Sequence, residues 1–126
     1  MTFELWDGPR LAATTFGFAS GCAFHDFTMA TFIRDSRSPG AVLSLAVGHI
    51  LQNCGFGLWY WGFKGEYMTR YDQYGGKDFG RDDFSEIWTT LCHSEPSISI
   101  RDFIANGRAL VPPLESSNGN GRFRMT

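Results

Sequence analysis

Residues 11–33, LAATTFGFASGCAFHDFTMATFI, and residues 41–63, AVLSLAVGHILQNCGFGLWYWGF, decide how this chain is read. Between Arg10 and Arg34 lie 23 residues with one charged side chain, Asp26; between Arg37 and Lys64 lie 26 with none. These 49 of 126 positions therefore hold one of the chain's 24 charges. Charge is inexpensive on a wetted surface and costly in hydrocarbon. Each stretch also matches the ~20 residues that a helix needs to cross a bilayer. The expected fold is an all-α membrane protein: a two-helix transmembrane hairpin over 11–33 and 41–63, followed by a small hydrophilic region that is helical and partly extended.

The flanks suit that reading. Residues 1–10 form a lead-in with Trp6 and a Gly8-Pro9 turn, and residues 34–40, RDSRSPG, supply a tight polar bend. Gly17 and Gly21 have the four-residue spacing that lets membrane helices approach closely. Phe56, Trp59, Tyr60, Trp61 and Phe63 gather beside Lys64 as an interfacial aromatic belt would. Mean hydropathy of both segments is only about +1, low for a lone span, so neighbouring subunits would have to shield them.

From Lys64 onward the chain is aqueous, with 17 charges in 63 residues. Phe84, Ile87, Trp88, Leu91 and Cys92 make an i, i+3, i+4, i+7, i+8 stripe that predicts a helix over 82–93. Asp82, Asp83 and Glu86 suit its positive end, and His93 falls in its last turn. Ser99 and Asp102 have capping-box spacing, and with Gly107 as a stop they predict a second helix over 100–106. Val111-Pro112-Pro113-Leu114 reads as a stiff extended piece, closing the hydrophilic region 64–114. Residues 115–126 read as a tail that is disordered or held by a partner.

A hairpin about residue 37 brings polar residues level. His25 lies eight residues before Ile33 and His49 eight after Ala41, so at 1.5 Å per residue both lie about 12 Å below the bend. Polar groups at that depth face protein, water or a ligand. His25 and His49 are thus the candidate cofactor-binding residues, as axial ligands of haem or chlorophyll, with mutual hydrogen bonding as the plainer alternative that needs no cofactor. Asp26 is a candidate for ion pairing with another chain or for proton handling. In a water-facing sheet His25 and Asp26 would point to opposite faces.

Other chemistries find no pattern. Cys22, Cys54 and Cys92 are odd in number and widely spaced, as free buried thiols rather than a disulfide or zinc framework. No phosphate loop, calcium loop or nucleophile motif is present, so neither a catalytic residue nor a metal ligand is nominated and no enzyme is expected. The formal net charge of −2 and the lack of a basic stripe argue against nucleic acid. The first ten residues, with Glu4, Asp7 and Arg10, do not make a signal peptide.

The expected role is a small accessory or structural subunit of a multi-subunit complex. It would be integral to an energy-converting membrane: the mitochondrial inner membrane of electron transport, or alternatively the thylakoid. Its partners would be other subunits and the lipid bilayer. The competing reading is a soluble α+β ligand-binding domain with an aromatic-rich pocket, in which 14–20, 22–33, 41–51 and 56–69 are strands and helix 82–93 packs across them.

Overall fold

A computed structural model describes residues 1–106 and 123–125. Residues 11–33 are a β-hairpin, not a helix. Strand β1 (Thr2–Asp7) is followed by β2 (Arg10–Ser20) and β3 (Ala23–Thr31), then helix α1 (Pro39–Asn53) and strand β4 (Leu58–Tyr60). A 3-10 segment (Glu66–Tyr74), α2 (Arg81–Cys92), α3 (Ile100–Ala105) and β5 (Phe123–Met125) complete the order. The sheet runs β4-β3-β2-β1-β5, antiparallel except for the parallel β3–β4 pair that α1 connects.

The transmembrane reading is therefore corrected. Of the two expected spans, one is a pair of strands joined by a turn at residues 21–22, and the other is helical only as far as Asn53, the end of the 15-residue α1. At 1.5 Å per residue α1 is about 23 Å long, short of the ~30 Å hydrocarbon layer. Among the described residues no helix is long and apolar enough to cross a membrane. The hairpin anchor and its placement in the mitochondrial inner membrane or thylakoid are withdrawn with it. The domain is α+β.

Why 11–33 forms strands is visible in its side chains. Thr14, Thr15, Phe16, Phe18, Phe27, Thr28 and Thr31 are β-branched or aromatic and fit a pleated surface better than a helix. Gly21, at φ +54°, makes the turn, where a side chain would be strained and would strike the Leu91 and Cys92 carbonyls. Gly17 does not join helices. It lies opposite Asp26 at a β-bulge, so close that a Cβ there would collide with the backbone carbonyl of His25.

α1 begins at Pro39, whose missing N–H costs nothing in the first turn. It buries Pro39, Leu43, Ala46, Val47 and Ile50 on one helical face, while Leu45, His49 and Gln52 stay exposed. The buried face seats on Phe3, Leu5, Ala13 and Phe24, and Met125 of β5 joins the same core. Phe3 and Phe24 meet edge to face at 5.6 Å. Ile100 and Phe103 of α3 extend the core along α1. Arg37, bonded to Asp35 at 2.7 Å and Asp7 at 2.8 Å, ties the β3–α1 loop to the end of β1.

The remaining expectations fall in several places. Residues 1–10, read as a lead-in, contain β1, which lies between β2 and β5. The helices expected over 82–93 and 100–106 lie at α2 and α3, and Ser99 accepts from the Asp102 N–H as its cap. The alternative reading made 41–51 a strand, whereas it is α1, and of 56–69 only Leu58–Tyr60 is strand. The Val-Pro-Pro-Leu piece and residues 115–122 lie outside the described residues, while 123–125 are strand.

Leu43 is fully buried and Leu45 is exposed two residues later. Leu43→Ala is expected to destabilise the fold by about 2–5 kcal/mol in urea unfolding. Leu45→Ala should stay within about 0.5 kcal/mol.

Candidate functional site

With Phe3, Leu5 and Phe24 turned toward α1, strand alternation turns their neighbours to the opposite, outer face of the sheet. There β2 presents Phe16 and Phe18, β3 presents His25 and Phe27, and β4 presents Tyr60. The bulge opposite Phe16 and Gly17 inserts one extra residue in β3, which brings Phe27 beside both phenylalanines of β2. The ring centroids of Phe16 and Phe27 are 5.2 Å apart, and those of Phe18 and Phe27 5.6 Å apart.

His25 is the centre of this cluster. Its ring lies 4.5 Å from Phe27, 4.6 Å from Tyr60 and 5.6 Å from Phe18. α2 covers one side, with Phe84 4.6 Å from Tyr60 and Trp88 6.1 Å from Phe18. The Leu91 carbonyl accepts from the Cys22 N–H at 2.8 Å, fixing the end of α2 to the hairpin turn. Burial among the rings pushes the His25 imidazolium pKa down, partly offset by the negative charge of Asp26.

The cluster is only half covered. Phe16, Phe18 and Phe27 remain 47%, 39% and 50% exposed. Scattered exposed hydrophobics are ordinary, but three rings joined through Phe27 on one face form a patch. β2 and β3 place no charge beside these rings: their only charged residues are Arg10 at the outset and Asp26, which points inward.

Asp26 serves the site from beneath. Thr15 Oγ1 donates to its Oδ1 at 2.6 Å and Trp59 Nε1 to its Oδ2 at 3.3 Å. The backbone N–H of Thr28 also donates to it, across the bulged residue Phe27. One carboxyl thus joins β2, β3 and β4 and holds the bulge that sets the aromatic row. Burial raises its pKa, opposed by these hydrogen bonds and by His25. The neutral acid suits the network well, because Thr15 Oγ1 also lies 2.9 Å from the Thr28 carbonyl. A protonated Asp26 can donate to Thr15, whose single hydroxyl proton then reaches Thr28.

The two candidate histidines do not meet. His49 is exposed on α1, hydrogen-bonded to Asn53 and 6.1 Å from the Phe103 ring, on the side of the sheet opposite His25. The level pair expected from a hairpin therefore has no counterpart. His25 and Asp26 point to opposite faces, as expected for a sheet. The aromatic belt is also divided: Trp59 packs inward against Gly48 of α1, Tyr60 faces outward and Phe63 is fully exposed.

Sequence reasoning missed Phe16, Phe18, Phe27 and Trp88 as one surface. The Phe16-Gly17-Phe18 alternation and the period-two pair His25 and Phe27 were the available signals. Elsewhere, a shallow groove of ≈ 540 Å³ opens beside Cys92, His93, Ser94 and Arg101. Two of its polar groups are engaged locally: His93 Nδ1 lies 2.7 Å from the Thr89 carbonyl and Ser94 donates to the Thr90 carbonyl at 3.1 Å. Among the described residues no cluster of His, Cys, Asp or Glu could hold a metal, and the three cysteines are free, with Cys22 and Cys54 buried.

No protein-family model matches this sequence, and no curated protein matches it.

Two opposing pH effects follow from the shifts. The raised Asp26 pKa gives stability that is complete below the ordinary aspartate range and is lost as pH rises through the folded value. The depressed His25 pKa gives stability that is complete above the ordinary histidine value and is lost as pH falls through the folded one. Asp26→Asn, which copies the neutral acid, should keep the three strands joined and abolish the first effect in pH-dependent urea unfolding. Asp26→Ala should cost about 1–3 kcal/mol, because Trp59 and Thr15 lose their partner.

Proposed function

We propose that this chain is a non-catalytic binding domain that recognises a protein partner through the outer face of its sheet. The observation that carries this reading is the contiguous, half-exposed row Phe16–Phe27–Phe18, on strands that place no charged side chain beside it on the outer face. Aromatic side chains contribute most per residue to interface cores, where charges are depleted. Their placement on a hydrogen-bonded sheet means little conformational entropy is lost when a partner covers them.

The aromatic residues favour a face over the enclosed pocket that a small molecule would need. Most of a small ligand's surface is buried in its site, and this row is open above. A nucleic-acid role draws no support from it, since stacking platforms for single strands also carry cations along the backbone path. The groove near His93 supports no nucleophile–base arrangement, as its histidine and Ser94 are bonded within their own helix end.

Replacing Phe27 by a photo-crosslinking benzoylphenylalanine, in the cells that make the chain, tests the reading. A discrete adduct is expected at position 27, and none at position 45, an exposed leucine of α1 on the opposite side. Absence of an adduct at 27, or the same adducts at both positions, would overturn the role of this face.

A further inference from the structure

Asp26 belongs to a chain of three oxygens that spans the bulge. Its Oδ1 lies 2.6 Å from Thr15 Oγ1, which lies 2.9 Å from the Thr28 carbonyl oxygen. Two hydrogen bonds in such a chain need two protons, and the Thr15 hydroxyl supplies one. The Thr28 carbonyl has none to give, so the second must come from Asp26. With the acid neutral, Asp26 donates to Thr15 and Thr15 to Thr28. With the acid ionised, the hydroxyl turns to the carboxylate and the Thr28 carbonyl loses it. The two residues at stake bracket the irregularity: Gly17 pairs with Asp26, Phe16 with Thr28, and Phe27 is the extra residue between them.

We propose that Asp26 is a proton-operated latch on this bulge: the neutral acid holds Phe27 in the row with Phe16 and Phe18, and loss of the proton to water releases it. The carboxylate left behind stands beside a carbonyl that has lost its donor, and swinging out to water relieves both. Asp26 is only partly buried, so that path is short. The latch is a property of the bulge itself; its consequence for recognition rests on the binding role assigned above.

Burial favours the neutral acid and is the largest influence on Asp26; the Trp59 and Thr28 N–H groups, which donate to the carboxyl, oppose it. Of the charged groups, His25 on the other face of β3 is the one that acts on it through space. β2 carries Arg10 at its far end, β4 has Tyr60 on the outer face, and α1, packed over the inner face, has one titratable side chain, the exposed His49. Because the closed bulge holds the proton more tightly than the open one, the open population is constant below the ordinary aspartate value. It then rises by up to about tenfold per pH unit and levels off above the folded value.

NMR on the full chain, with fluorophenylalanine at position 27 and isotope-labelled aspartate carboxyls, tests the latch. The Asp26 signal, assigned by its loss in Asp26→Asn, should titrate above the ordinary aspartate range. The fluorine signal should move with the same midpoint, and in Asp26→Asn that movement should vanish. His25, with its ring 4.5 Å from Phe27, titrates beside the probe, so the comparison is repeated in His25→Gln, where the Asp26-linked movement should persist. If that variant does not fold, the carboxyl and fluorine midpoints of the unaltered His25 chain decide. An Asp26 midpoint in the ordinary range, a fluorine signal indifferent to it, or an equal movement in Asp26→Asn would overturn the latch. Crosslinking from position 27 in lysate should fall as pH rises through the Asp26 midpoint and be independent of pH there in Asp26→Asn. Coincident midpoints without an adduct at any pH would support the latch and remove only the binding role.

Discussion

The seating of α1 on Phe3, Leu5 and Phe24 is the contact on which the rest of the structure depends, because it assigns a direction to every side chain in the sheet. Strands alternate, so once Phe24 is buried against α1, His25 must face the other way and Asp26 must return inward. A shift of one residue would put Asp26 on the outer face and His25 in the core. The aromatic surface is thus a geometric consequence of core burial and needs no separate folding signal.

Asp26 and Gly17 refine that consequence. A regular hairpin would place one residue of β3 opposite each residue of β2. The bulge places an extra one, and Phe27 is thereby brought beside both Phe16 and Phe18. Glycine at 17 permits the close backbone approach, and the Asp26 carboxyl satisfies the Thr28 N–H across the bulge while reaching Thr15 and Trp59. A half-buried acid in a sheet is an expensive choice, and here it fastens three strands under the surface assigned to recognition.

Charge depletion over 11–63 was a correct observation with two physical causes. Lipid exposure is one. The other is a sheet packed on one side and aromatic on the other, joined to a core helix. Hydropathy alone does not separate them, and a window over 11–33 averages inward Ala13 and Thr15 with outward Phe16 and Phe18. The separating evidence lay in residue type: 14–18 holds two threonines and two phenylalanines, the latter at period two, whereas 39–51 carries its apolar residues at helical spacing behind a proline. The α2 stripe was readable because a helix with one apolar side repeats the same three- and four-residue steps wherever it docks.

By itself the sequence determined the helix expected over 82–93 and found at 81–92, the capped helix beginning after Ser99, a polar bend from residue 34 that ends where α1 begins at Pro39, and the scarcity of charge over 11–33. These depend on contacts within a few residues, which local spacing encodes. Tertiary structure alone decided that 11–33 folds back as strands, that His25 and His49 lie on opposite sides of a sheet, and that Phe16, Phe18, Phe27 and Trp88 share one surface. Those relations join residues many positions apart. Register and layer order set them, and no local pattern carries that information.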